Sequence, residues 1–223
     1  MPRVVLGIMA RSDRSQEPLL DRVLELIGSA FDGVEVLNDE GRPVSDFSAR
    51  RNALIEIGEA KRYDWMVQLD SDECMLPADI AVLRSLMTPR NRFIVVPRYE
   101  FVADFDHYDP SEYPDYQGRI FRLGVGYRFR KRVHEGLYRR FSPISERRLG
   151  LGVVSDATPI FHYGRLKSAA AMHLKLHNYE RLARGEVPID ALPEGIAFDE
   201  ERRFWREIAE FKGDRPFTGP FPT

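Results

Sequence analysis

Trp65-Met66-Val67-Gln68-Leu69 runs without a break into Asp70-Ser71-Asp72-Glu73. A short apolar run that ends in carboxylates reads as a buried parallel strand leaving its sheet, and open α/β sheets place ligands at that end. Two carboxylates two residues apart point to one side of an extended chain. Their hard oxygens suit Mg²⁺ or Mn²⁺, ions that bridge a diphosphate and stabilise it as a leaving group. The plain alternative is a solvated acidic turn capping the next helix.

Toward the N-terminus, Val4 to Met9 is a second buried strand, and Leu19, Leu20, Val23, Leu24 and Ile27 repeat at helical spacing with Gly28 as a stop. Val34 to Leu37 is a further strand. Ser45 to Ser48 offers N-caps for a helix whose apolar face is Ala49, Ala53, Leu54, Ile57 and Ala60. Downstream, Pro77 opens a helix carrying Ile80, Leu83 and Leu86, and Phe93 to Val96 is a strand. This alternation predicts an α/β domain with a mostly parallel central sheet flanked by helices.

After Pro97 the composition changes. Asp104, Asp106, Asp109, Glu112 and Asp115 interleave with Tyr108, Tyr113 and Tyr116, and no Lys or Arg lies among them. Residues 119 to 148 then hold ten basic side chains against two acidic ones, Glu135 and Glu146. This run reads either as a solvated surface with partners in the preceding acidic stretch or as a site for an anionic acceptor. Short strands are expected in GRIFRL, YRFRKRV and PIFHY. A helix is expected over 168 to 184, and a second one, capped by Asp199, carries Phe204, Ile208 and Phe211. The tail GDRPFTGPFPT reads as extended or disordered. His173 and His177 stand four apart in HLKLH, but no third ligand accompanies them, so a helix surface is the reading there.

The whole chain has 223 residues, 43% hydrophobic and 30% charged, with 33 Lys and Arg against 35 Asp and Glu. A net charge of −2 argues against a globally basic nucleic-acid binder. A single cysteine, Cys74, excludes intramolecular disulfides and any zinc site with two Cys ligands. No signal peptide, anchor or long apolar span is read, and the expected location is cytoplasmic.

The stretch from Asp46 to Glu73 resembles the centre of the GT-A family 2 glycosyltransferases, small bacterial and phage members included. Ser48, Ala49, Arg51 and Asn52 match a helix start. Asp64 and Trp65 match the strand entry, and Asp70, Asp72 and Glu73 match the Asp-x-Asp-Glu exit. Arg119 to Gly136 and Phe161-His162-Tyr163 are similar to later segments in the same order, so the likeness covers residues 3 to 180. It implies a GT-A-like, Rossmann-like domain over 1–165, with a donor half at 1–97 and an acceptor half at 98–165, then a C-terminal helical appendage and tail over 166–223.

The resemblance further implies a metal-dependent inverting transfer from a nucleoside-diphosphate-sugar, UDP-sugars favoured, to an acceptor hydroxyl. Asp39, Arg51, Asn52 and Asp70 would contact the donor. Asp72 and His162 would ligate Mn²⁺ or Mg²⁺, and Glu135 would be the general base, with Asp104, Asp106 and Asp115 in reserve. The loop after Val4 to Met9 departs from the family's small-residue pattern, and Arg11 and Asp13 stand in its place. A nucleotidyltransferase of similar fold is the competing enzyme, although LGIMARSDR lacks that class's glycines. A noncatalytic GT-A-like module binding nucleic acid or another anionic partner is the third reading.

Overall fold

The computed structural model describes residues 1–12, 17–39, 46–139, 142–143, 152–166, 169–189, 191 and 208–218. Strand β1 (Val4–Ala10) is buried throughout, as its apolar run requires. It lies between parallel neighbours β2 (Gly33–Asn38) and β3 (Trp65–Asp70). Helices α1 (Leu20–Ile27) and α2 (Phe47–Ala60) connect these strands, and β4 (Glu73–Cys74) and α3 (Pro77–Leu86) follow. The alternation of β1 divides the core. Val4, Leu6 and Ile8 pack with the buried residues of α1 and α3, whereas Val5 and Met9 pack with Leu54 and Ile55 of α2. Each such Leu or Ile removed from water contributes about 2 kcal/mol.

The central sheet is mixed but mostly parallel. Strand β5 (Phe93–Val102) is followed by the two-residue β6 (His107–Tyr108) and by β7 (Asp115–Arg122). β7 runs antiparallel between β3 and β5, so the strand expected to extend the parallel sheet is one place removed from β3. β5 also passes through Pro97, across the expected division of the halves. The proline pairs with Tyr116 just beyond a register shift between Ile94 and Val96, and a residue without an N–H is tolerated at such an irregularity.

Strands β8 (Tyr127–Arg130), β9 (Gly136–Arg139) and β10 (Ser142–Pro143) form a small antiparallel sheet, with β8 against α2. Strands β11 (Gly152–Val154) and β12 (Ile160–Arg165) extend β5 in parallel, and β12 also pairs antiparallel with β4. Helix α4 (Ala169–Ala183) follows. Among the described residues no helix is long and apolar enough to cross a membrane.

Several local expectations change. Helix α2 buries Arg51, Leu54, Ile55 and Gly58, while Ala49 and Ala60 face solvent. Two forces set this rotation. Arg51 is drawn inward by acidic partners, and Gly58 gives close approach, since a Cβ there would lie 2.8 Å from Met66 Cε. Asp46 caps the helix by accepting from the Ala49 N–H at 2.9 Å. As expected, α1 ends at Ile27 with Gly28 as its C-cap, but in helical geometry (φ −55°) rather than the left-handed region, and the chain continues as a 3₁₀ turn to Ala30.

At the C-terminus, Asp199 and Phe204 lie outside the described residues. Ile208 is exposed and Phe211 follows a short strand, β13 (Ala209–Glu210), that pairs with β6. Phe211 joins Tyr99, Phe101 and Phe161 in an aromatic cluster. The tail docks as far as Phe217, which is buried against Phe105 and Tyr163 with Arg22 over its ring.

Cys74 is wholly buried in β4 opposite Phe161, and burial pushes its thiol up to about 12. A thiol so placed is inert. Ellman's reagent at pH 8 should label the native protein only as fast as it unfolds, and one thiol per chain at once in denaturant. Immediate labelling of the native protein would contradict this packing.

Candidate active site at the end of β3

Arg51 is 1% exposed and sits between two carboxylates. Its Nη2 donates to Asp70 Oδ1 at 2.7 Å and its Nε to Glu135 Oε1 at 2.5 Å, so the donor candidate and the base candidate share one guanidinium. Its Nη1 is buried with no hydrogen-bond partner. The remaining oxygen of Asp70 accepts from Arg119 Nη1 at 3.2 Å, and the same nitrogen reaches Glu73 Oε2 at 3.1 Å. Glu73 also caps the strand end, accepting from the Asp70 N–H at 3.0 Å. Its other oxygen accepts from Arg98 at 3.1 Å, and Arg98 in turn pairs with Glu100 at 2.8 Å and Asp115 at 2.6 Å.

The chain of charges ends at His162. Its Nδ1 lies 2.7 Å from Glu100 Oε1 and its Nε2 lies 3.4 Å from Asp72 Oδ1. Pairing of β4 with β12 makes this junction, since His162 stands opposite Glu73 and the Tyr163 N–H donates to the Asp72 carbonyl at 2.9 Å. Gly164 keeps it open. A Cβ there would lie 2.3 Å from His162 Nε2 and 3.1 Å from Asp72 Oδ2.

Burial opposes every charge in this network, and opposite charges overcome it. Burial pushes Asp70 up, yet Arg119 and Arg51 hold its carboxyl well below the usual range. Burial likewise works against Glu100, but His162 and Arg98 hold it at about 2. His162 is pushed down by burial and lifted to about 9 by Glu100 and Asp72.

The other expected site residues lie around this centre. Asp39, just past the end of β2, accepts from the Ser12 N–H at 2.8 Å and so ties the first loop to the second strand. Asn52 is spent on structure: its amide donates to the Phe129 carbonyl at 3.0 Å and accepts from the Phe129 N–H at 2.8 Å, fixing β8 on α2. Arg50 donates to the Ala10 and Leu37 carbonyls, joining the ends of β1 and β2. Asp13 lies outside the described residues. Of the reserve bases, Asp104 is paired with His107, Asp106 with Arg215 and Asp115 with Arg98.

Among the described residues the basic run does not pair with the acidic stretch as a block. Arg119 turns into the network and Arg128 pairs with Glu59, while the acidic stretch is met by Arg98, Arg165 and Arg215. Sequence reading passed over Arg98, Glu100, Arg119 and Gly164. The available signal was charge inside apolar strands, since Arg98 and Glu100 follow Phe93 to Val96 within one strand.

The two expected cation ligands, Asp72 and His162, are brought together here. Among the described residues no group of three or more His, Cys, Asp or Glu side chains is arranged to hold a metal ion alone. Mg²⁺ and Mn²⁺ sites that act on diphosphates need fewer, because substrate oxygens and water complete the shell. Asp72 and the His162 Nε2 converge across the space left by Gly164, and Glu100 on Nδ1 is the carboxylate that commonly orients a metal-binding imidazole.

No family model matches this sequence, and no curated protein matches it. The chain is similar to a solved structure described as the crystal structure of A197 from STIV, at 20% identity and a TM-score of 0.33. That match covers 48% of this chain and 51% of the other, about half of each, and a likeness of this size establishes neither fold nor function.

The two ends of the Glu100–His162 pair titrate in opposite directions. Glu100's contribution is present above its ordinary 4.5 and is lost as pH falls toward about 2. His162's contribution is complete below 6.5 and is lost as pH rises through about 9. In EDTA, Glu100→Gln should therefore lower the melting temperature most between pH 4.5 and 6.5, with the difference from wild type shrinking on both sides. A difference that grows steadily toward pH 9 would contradict the pairing.

Proposed function

We propose that this chain is a metal-dependent inverting glycosyltransferase of GT-A-like fold. It moves a sugar from a nucleoside-diphosphate-sugar, UDP-sugars favoured, to an acceptor hydroxyl. The observation that carries this reading is the junction at the end of β3, where Asp70-Ser71-Asp72 meets His162 on one side and the Arg51-held Glu135 on the other. The parallel β2–β1–β3 block supports it, because its C-terminal ends form one rim on which Asp39, Asp70 and Asp72 all stand.

Each residue then has a task. Asp39 receives the nucleoside. Asp70 faces the ribose and is kept ionised by Arg51 and Arg119. Asp72 and His162 hold the cation, Mn²⁺ or Mg²⁺, which when bound supplies positive charge against the donor's diphosphate. Glu135 takes the acceptor's proton as the acceptor oxygen attacks the anomeric carbon and the bond from that carbon to the diphosphate oxygen breaks. Arg51 holds Glu135 through Oε1, which leaves Oε2 to receive the proton. Charges fixed before the reaction need no reorganisation as the oxocarbenium-like transition state forms.

Thermal-shift measurements with nucleoside diphosphates and their sugars, in Mn²⁺, Mg²⁺ or EDTA, test this reading. One nucleotide should raise the melting temperature by several degrees with metal and not in EDTA, as mass action requires. Asp72→Asn should abolish that shift. Glu135→Gln should keep it and lose transfer by about 10²- to 10⁴-fold. No response to any nucleotide, or a full response in Asp72→Asn, would overturn the reading.

A further inference from the structure

A cavity of about 630 Å³ opens between the β8–β9 turn and the end of α4. Lys131, Arg132 and His134 line it from the turn, and Arg184 lines it from the helix, with Val133 and Leu182 at its base. Lys131, Arg132 and His134 are exposed, and among the described residues no acidic side chain pairs with Lys131 or Arg132. Arg184 is partly neutralised by Glu186, whose Oε1 accepts from its Nε at 2.8 Å. Cations placed side by side repel one another unless an anion joins them.

The turn's backbone enters the left-handed region at two non-glycine positions. Lys131 and His134 have φ of 79° and 51°, the left-handed region that glycine occupies without strain. At Lys131 a long cationic side chain thus occupies a backbone position that glycine would take without strain, and such outliers cluster at ligand-binding segments. The turn is anchored, because the Arg132 carbonyl accepts from the Phe47 N–H at 3.0 Å. Opposite, the carbonyls at the end of α4 are capped. The Gly185 and Glu186 N–H groups donate to Leu182 and Arg181, which removes bare acceptors that would repel an anion. Arg132 spans the gap, since a Cβ on Gly185 would lie 3.5 Å from its Nη1.

We infer that this cavity is an anion subsite that receives the phosphate of a phosphorylated acceptor. The word acceptor rests on the proposed glycosyltransferase reading; the anion site itself does not. Two observations point to acceptor rather than donor. His134 precedes Glu135 in the chain, so a phosphate seated here is tethered next to the base. The donor rim at β1, β2 and β3 belongs to other elements. The volume lies in the range of small-molecule sites and far exceeds a lone phosphate, so a sugar ring bearing the phosphate fits. The phosphate comes either from a soluble phosphosugar or from a lipid headgroup.

Calorimetric titration with glucose 6-phosphate and with glucose, and cosedimentation with phosphatidylglycerol and phosphatidylcholine vesicles, test the inference against Lys131→Ala/Arg132→Ala. Both positions are exposed, and the variant's melting temperature verifies its fold. Binding of glucose 6-phosphate but not glucose, weakened at least tenfold in the variant, supports a soluble phosphate. Binding of phosphatidylglycerol vesicles alone, lost in the variant, supports a lipid-borne one. Absence of binding to both, or equal binding by the folded variant, overturns the subsite. The nucleotide response separates the two claims. A variant-sensitive phosphate site without any nucleotide shift keeps the subsite and removes the glycosyltransferase reading, and the converse removes only the subsite.

Discussion

Arg51 carries its charge into the interior, and the rest of the site is arranged around that fact. A buried guanidinium is tolerable only with well-placed carboxylates, and Asp70 and Glu135 supply them from segments far apart in the chain. Asp70 ends β3 and Glu135 precedes β9, so one side chain locks helix α2, the central sheet and the small sheet together. From Asp70 the charges alternate through Arg119, Glu73, Arg98 and Glu100 to His162 and Asp72. Losing Arg51 would leave Glu135 without its ion-pair partner, and breaking a buried pair typically costs about 3–5 kcal/mol, whereas Asp70 and Glu73 would each keep one arginine if Arg119 were lost.

Under the proposed function that arrangement serves transfer of a group from an anionic leaving group. Fixed charges in a partly desolvated cleft act more strongly than mobile ones in water. The chain of charges ends in Asp72 beside His162, the pair to which the proposed function assigns the cation. The opposite end, Glu135, is a carboxylate held among the described residues through Oε1 by Arg51. Under the proposed function the two ends serve donor and acceptor, and the arginines between them fix their relative position.

Much of the donor-side fold was legible because it depends on local pattern. The run at Val4 is apolar on both faces, the runs at Val34 and Trp65 are apolar apart from Glu35 and Gln68, and the carboxylates after Leu69 mark a strand end. The rotation of α2 was not legible. Its alanines suggest one face, but the actual one follows from Arg51's partner Glu135, 84 residues away. Pro97 reads as a strand end until β7 supplies a neighbour that tolerates it. The tail reads as extended or disordered because Phe211 and Phe217 are scattered among Gly and Pro, and only the aromatic clusters of β5, β12 and Phe105 reveal where they dock. Asp70 and Asp72 stand out in the sequence as carboxylates at a strand end, whereas Arg51, Glu135 and His162 were expected only from the family resemblance; the structure brings the five into one network. The connecting Arg98, Glu100 and Arg119 depend on strand pairings that sequence spacing does not encode.

The central claim is that Asp72 and His162 form the cation site. The direct measurement is an NMR titration of the ¹³C-histidine-labelled protein with Mn²⁺ in the presence of the nucleoside diphosphate. The chain has five histidines, and a paramagnetic ion broadens the nearest first. The account predicts selective loss of the His162 signal, dependent on nucleotide and abolished by Asp72→Asn. An unchanged His162 signal, or prior broadening of His173 and His177 on α4, would contradict it.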